Sequence, residues 1–289
     1  MTITTAPVQS GPGSFIEPMA ELSDIKEVAA HLNLKVYSGF RAPLEHFAGQ
    51  NRVFDSIAER IANTPIRCED QCSAQHYADL FEVVRGHFGR INRVVEVGVF
   101  MGGASTLLAG CLVPMDLTLD LVDISREYLL FTHERIRRTF PEAADRVRLF
   151  QGDLPTYVHQ VLGNEADCSA LVHHDGAHDF HQVVKDLSSL YYVRDRVRGL
   201  MIQDTHLRGR IEYCNFVDAA IYAVFGFDMK CQPLGQRYGE GHAALEPNRY
   251  QGNYFLPNTA EGAFIPFAAN TFKYPHPSMK LEEFLPKAA

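Results

Sequence analysis

Arg93-Val-Val-Glu-Val-Gly-Val-Phe-Met-Gly-Gly-Ala-Ser-Thr-Leu-Leu-Ala109 is the stretch that decides the fold. A short apolar run, broken only by Glu96, gives way to a turn with glycines at 98, 102 and 103, and residues 104–112 then read as a helix. A strand, a glycine turn and a helix in that order open a nucleotide-binding α/β unit. A dinucleotide fingerprint would place a second glycine at position 100, where Phe100 stands instead. The turn is therefore wider than a pyrophosphate cradle, and Glu96 beside it suits a cationic ligand.

The chain downstream repeats the pattern. Residues 117–123 form a second strand ending on Asp123, 25 residues after Gly98, and residues 146–153 form a third, ending Gln151-Gly-Asp153. A fourth runs from Ala170 to Asp175-Gly-Ala-His178, and a fifth from Gly199 to Asp204-Thr205-His206. Each is an apolar run closed by polar residues, as expected of buried parallel strands whose carboxyl ends make a site. Helix-period segments, 126–140 and 179–193, separate them. An acid closing the second strand of such a fold accepts ribose hydroxyls, which assigns that role to Asp123.

Glu96-x-Gly98-x-x-x-Gly102 resembles the first motif of the class I S-adenosylmethionine-dependent methyltransferases. The resemblance covers about residues 73–256. It implies a doubly wound, seven-stranded, mostly parallel sheet with a helical N-terminal extension, and methyl transfer to a hydroxyl of a small metabolite. Cofactor binding then falls to Glu96, Gly98, Gly102 and Ser105 at the methionine end, Asp123 at the ribose, Gln151 and Asp153 at the adenine, and Asp175 beside the methyl group. Asp-Gly-Ala-His178-Asp-Phe-His-Gln-Val-Val-Lys-Asp-Leu187 looks especially like the bacterial group around cephalosporin and macrolide-sugar methyltransferases. In the similar catechol O-methyltransferases the two strand ends hold Mg²⁺ through two Asp and an Asn, with a Lys as base. Asp175 and Asp204 match the aspartates, Thr205 stands at the Asn and His178 at the Lys. A divalent cation on Asp175, Asp204 and His206 is thus one expectation. Base catalysis without metal is the other, with His178 first, His206 second and Asp175 beside them. An imidazole takes a proton near neutral pH without large tuning. His181 shares a helix with His178, and one of His173 and His174 should face a helix layer in a structural role.

The formal charge of −8 excludes nucleic acid as the main partner, since phosphate binding draws on clustered Lys and Arg. Arg135, Arg137 and Arg138, with His133 and Glu134, read as a solvated helix face. No transmembrane run or signal pattern is seen, so a cytoplasmic location is expected. The six cysteines (68, 72, 111, 168, 214 and 231) lack zinc-finger pairing and should be reduced, mostly buried thiols.

Three domains are expected: residues 1–72 as an extension or lid, with helices at 21–32 and 50–62 after a mobile start; 73–260 as the methyltransferase domain, entered by a helix at 73–88; and 261–289 as an aromatic, proline-rich tail. Within the second, 211–225 is a helix, 228–233 and 252–256 are the sixth strand and an antiparallel seventh, and 235–249 is a mobile loop. The apolar tail motivates a homo-oligomer, most simply a dimer. N-methylation, a nicotinamide oxidoreductase and an inactive ligand-binding scaffold remain the alternatives.

Overall fold

The computed structural model describes residues 13–20, 24–34, 42–64, 72–208, 216–238 and 254–286. In chain order these form β1 (Ser14–Ile16), α1 (Ile25–His31), α2 (Arg52–Asn63), α3 (Ala74–Gly86), β2 (Arg93–Val97), α4 (Gly103–Leu112), β3 (Thr118–Asp123), α5 (Arg126–Thr139), β4 (Val147–Gln151) and α6 (Leu154–Tyr157). There follow β5 (Ala170–His174), α7 (Phe180–Ser189), β6 (Val197–Gln203), β7 (Leu207–Arg208), α8 (Val217–Phe225), β8 (Gln232–Arg237), β9 (Tyr254–Phe255) and β10 (Ala260–Pro266). Side-chain caps fix several helix starts: Ser73 opens α3, Ser125 opens α5 and Asp179 opens α7, each accepting a backbone N–H of its first turn.

The main sheet runs β1-β4-β3-β2-β5-β6-β10-β8. Strands β2 to β6 are mutually parallel, and β10 is antiparallel to both its neighbours. The order reverses between β2 and β5, and a ligand crevice lies outside the strand ends at such a switch point. Alternating side chains feed two cores: Val94, Leu119 and Leu171 face the helices α2 to α5, while Val95, Val122 and Val172 face α6 to α8. Among the described residues no helix is long and apolar enough to cross a membrane.

The doubly wound α/β fold is as expected; its borders differ. The antiparallel strand beside β6 is not 252–256 but β10, so the tail expected from residue 261 begins inside the sheet. Of 252–256, Tyr254–Phe255 pair with β7 in a separate two-stranded ladder, and 252 and 253 lie outside the described residues. Phe264, Phe267 and Phe284 of the supposed tail are buried in their own chain, which removes the reason given for a partner there. Strand β8 reaches Arg237, so the loop expected from 235 starts later, and residues 239–249 lie outside the described residues. Ser14–Ile16, placed in the mobile start, pair with β4. The Arg-rich stripe of α5 is not solvated. Glu134 is buried between Arg137 and Arg138, and the buried Arg135 donates to the Met101 carbonyl at 2.6 Å. Four cysteines fall among the described residues and all are free thiols.

Candidate active site

The β2–α4 turn has the shape its glycines require. Gly98 (φ +80°) and Gly102 (φ +75°) are both left-handed, and a Cβ on Gly98 would run into the backbone of Asp175 and Gly176 at the end of β5. The turn thus lies directly against the strand end that carries the first acid. Phe100 also has a left-handed backbone (φ +42°), a conformation that costs a non-glycine residue about 1 kcal/mol or more. Helix α5 holds it there: Thr132 donates to the Phe100 carbonyl at 3.3 Å, and Arg135 binds the next carbonyl along. Glu96 and Ser105 are buried, and Glu96 Oε2 and Ser105 Oγ have no hydrogen-bond partner. Buried polar atoms are seldom left so.

Asp123 stands at the end of β3. One oxygen accepts the Val99 N–H and the other the Ser125 N–H, both at 2.8 Å. Burial raises its pKa, against these backbone donors. Register places Gln151 directly beside Asp123. Asp153 caps α6 by accepting the Thr156 N–H at 3.0 Å, so one of its oxygens is already engaged.

Asp175 and Asp204 follow the adjacent strands β5 and β6, and His178 lies between them. Its Nε2 is 2.9 Å from Asp204 Oδ2 and 3.9 Å from Asp175 Oδ1. Burial opposes a charge on this imidazole, but the two carboxylates outweigh it and raise its pKa to about 10. Asp204 is held below the usual carboxylate range by His178 despite its burial, whereas burial raises Asp175. As it stands, then, His178 is an imidazolium at neutral pH, and a poor base. The same three side chains each offer a ligand atom within 4.8 Å of the others. The structure brings His178, rather than His206, to the two acids.

His206 has a different setting. Its ring stacks on Phe255 at 4.8 Å and on Tyr238 at 5.2 Å, and burial lowers its pKa, so it is neutral. Thr205 turns away from the acids and donates to the Ala260 carbonyl at 2.8 Å. His174 bonds Asp186 of α7 at 2.9 Å and is structural, while His181 is exposed.

Sequence reasoning missed three contributors. Cys72 and His76, at the start of α3, feel the charge of Asp204. Glu261, on β10, accepts the Ser73 and Gln236 N–H groups at 3.0 and 2.9 Å and the Tyr238 hydroxyl at 3.1 Å. A run of small and apolar residues from 260 to 265 was the available signal for its strand.

A family model described as a methyltransferase domain matches residues 95–204, from β2 to Asp204 itself. That match spans the segment that carries Glu96, Asp123, Asp175 and Asp204. Among solved structures, it is similar to the TDP-rhamnose 3′-O-methyltransferase CalS11 of calicheamicin biosynthesis, with 12% identity over 86% of this chain and 96% of that one (TM-score 0.49). It is also similar to the O-methyltransferase TomG from Streptomyces achromogenes, solved with SAM, with 15% identity over 56% of this chain and 70% of that one (TM-score 0.39). An O-methyltransferase from Bacillus cereus, in complex with SAH, shares 14% identity over 63% of this chain and 76% of that one (TM-score 0.39). Likenesses this loose carry no argument about the acceptor. No curated protein sequence matches the chain.

Proposed function

We propose that the chain methylates a hydroxyl oxygen of a small-molecule acceptor. The observation that carries this reading is the convergence of Asp175, His178 and Asp204 on the end of the cofactor crevice. An amine in its free-base form needs no such group, because its lone pair is already available. A hydroxyl must lose a proton, and two carboxylates with an imidazole are the means to promote that.

The residues fit the cofactor. Glycines 98 and 102 keep the turn open, Ser105 Oγ and Glu96 Oε2 are buried and unpartnered, and Asp123 retains lone pairs for ribose hydroxyls. S-adenosylmethionine supplies a methyl group already activated by its sulfonium. The protein's task is to hold it in line with the acceptor and exclude water. The donor set also fits a divalent cation: Asp175, His178 and Asp204 would hold it, and it would lower the pKa of an acceptor hydroxyl. His206 is the imidazole in a neutral state, and so the one able to accept the proton.

Calorimetry with S-adenosylhomocysteine and with NAD tests the cofactor assignment; binding of NAD alone would overturn it. Transfer of labelled methyl to phenols, catechols and hydroxylated sugars tests the acceptor class. With such an acceptor, EDTA should abolish turnover and Mn²⁺ restore it, while unchanged turnover after chelation would leave the base-only alternative. This reading keeps a cytoplasmic enzyme and a homodimer. Phe227 and Tyr222, stacked and exposed on and beside α8, give a second copy an apolar contact, and a mass near 32.4 kDa by light scattering would refute the dimer.

A further inference from the structure

We propose that Glu261 is a positioning residue for the acceptor half of the site, holding His206 through its buried carboxylate and Asp204 through its backbone carbonyl; this rests on the reading above. Four donors converge on its side chain. Oε1 accepts the Ser73 N–H at 3.0 Å and the Tyr238 hydroxyl at 3.1 Å; Oε2 accepts the Gln236 N–H at 2.9 Å and the Ser73 hydroxyl. Its backbone carbonyl accepts the Thr205 N–H at 3.1 Å. One residue of β10 therefore binds the cap of α3, the end of β8 and the turn that follows β6.

Both chemical groups hang from these bonds. Asp204 has a left-handed backbone (φ +61°), which a non-glycine residue keeps only where its surroundings impose it. The constraint comes from the next residue, whose N–H and hydroxyl are tied to Glu261 and Ala260. His206 is fixed by its stack on Tyr238, and the Tyr238 hydroxyl ends on Glu261. The chain makes room for the carboxylate: Gly235 has φ +80°, and a Cβ there would collide with the Glu261 side chain. A carboxylate with four donors, in a space kept open by a left-handed glycine, is a built arrangement.

Charge matters to this arrangement more than size. Each carboxylate oxygen accepts one backbone N–H, and a backbone N–H cannot reverse its role. Replacing Glu261 by Gln presents an NH₂ to one of them whichever way the amide turns. Hydroxyl donors can rotate to accept, but the Ser73 or Gln236 N–H is left without a partner.

The test compares wild type with Glu261→Gln, using S-adenosylhomocysteine as the probe and two resonances as reporters. The reporters are the ring protons of His206, shifted upfield by the stack, and those of His178, whose Nε2 lies 2.9 Å from Asp204 Oδ2. The proposal expects the variant to bind S-adenosylhomocysteine within about twofold of wild type, since the cofactor end is built on β2 and β3, to lose the upfield shift of His206, and to keep the His178 signal, because the Asp204 turn hangs from the backbone carbonyl that the substitution leaves in place. A folded variant that keeps the His206 shift overturns it. So does one that loses cofactor binding together with it, because Glu261 then serves the whole fold rather than the acceptor half. If Glu261→Gln does not fold, Tyr238→Phe removes one of the four donors and should move the His206 signal alone; an unmoved signal is equally fatal. Wild type that fails to bind S-adenosylhomocysteine defeats the functional reading instead, and the two resonances still report on Glu261.

Discussion

Two buried polar clusters lie on opposite faces of the sheet, and they are finished differently. On the face toward α6, both oxygens of Asp120 are occupied: Arg148 binds them at 2.8 and 2.7 Å, Tyr157 donates its hydroxyl, and Arg93 lies 3.5 Å away. Glu165 bridges the two arginines, and only Arg93 Nε lacks a partner there. On the face toward α3, Glu96, His76, His173 and Gln203 are just as buried but largely unpaired. Both nitrogens of each of these histidines, Glu96 Oε2 and Gln203 Oε1 have no hydrogen-bond partner. A closed cluster holds a fold together; an open one costs stability and is kept where polar groups serve something else. The open cluster borders the ends of β2, β5 and β6, where the site lies.

Breaking the closed cluster should give the largest effect. Asp120→Ala takes the buried partner from Arg148 and Tyr157 and leaves both arginines with Glu165 alone, and should cost about 3–5 kcal/mol in urea unfolding, with cofactor affinity per folded molecule unchanged. An equally stable variant would end the comparison.

At the cofactor end the expectation reverses. Asp123→Ala should leave the fold standing yet weaken S-adenosylhomocysteine by about 2–3 kcal/mol, on the order of 30- to 150-fold, because hydrogen bonds to a charged acceptor are lost. Calorimetry showing wild-type affinity would remove Asp123 from the cofactor site.

Acid should find the open cluster next. Burial, with His173 nearby, lowers the pKa of His76 to about 3. The unfolded chain therefore takes up this proton near pH 6.5 while the folded one does not. Stability is intact above pH 6.5 and falls as the pH drops, by about 2 kcal/mol at pH 5. His76→Leu should remove that part of the slope, read from urea midpoints at pH 7 and pH 5; an unaltered slope would show that the proton is taken up elsewhere.

The smallest effect has the opposite sign. Gln203→Met removes an unpaired buried oxygen and should raise stability by roughly 0.5–1 kcal/mol, visible as a higher melting temperature. A fall would mean that Gln203 belongs to the closed kind of cluster.

What could be read from the sequence divides along the same line. Parallel strands buried on both faces are apolar runs, so β2 to β6 and their closing acids stand out, and with them Asp123, Asp175 and Asp204. The partners of those acids do not. His76 sits on the inward stripe of a helix, beside Tyr77, where one residue in the pattern carries no message. Glu261 lies between Ala260 and Gly262, ahead of Pro266, which read as the start of a tail. Arg135 and Glu134 counted as a solvated face because helix periodicity shows which residues share a side, not what packs against it. That His178 rather than His206 meets the two carboxylates is a matter of ångströms between strand ends.

The two ends of the sheet also differ in how they avoid their own kind. A free strand edge is a template for pairing with another chain. Edge strand β8 carries Pro233, which has no N–H to offer, and ends on a charged Arg237. Strand β4 has no proline or glycine within it, and is covered instead by β1, whose Phe15 packs edge-on to Phe150 under the Arg148 guanidinium. Those few N-terminal residues act as a guard against aggregation: a chain begun after Ile16 would bare the β4 backbone and invite edge-to-edge association, while the strand ends of the candidate site stayed as they are.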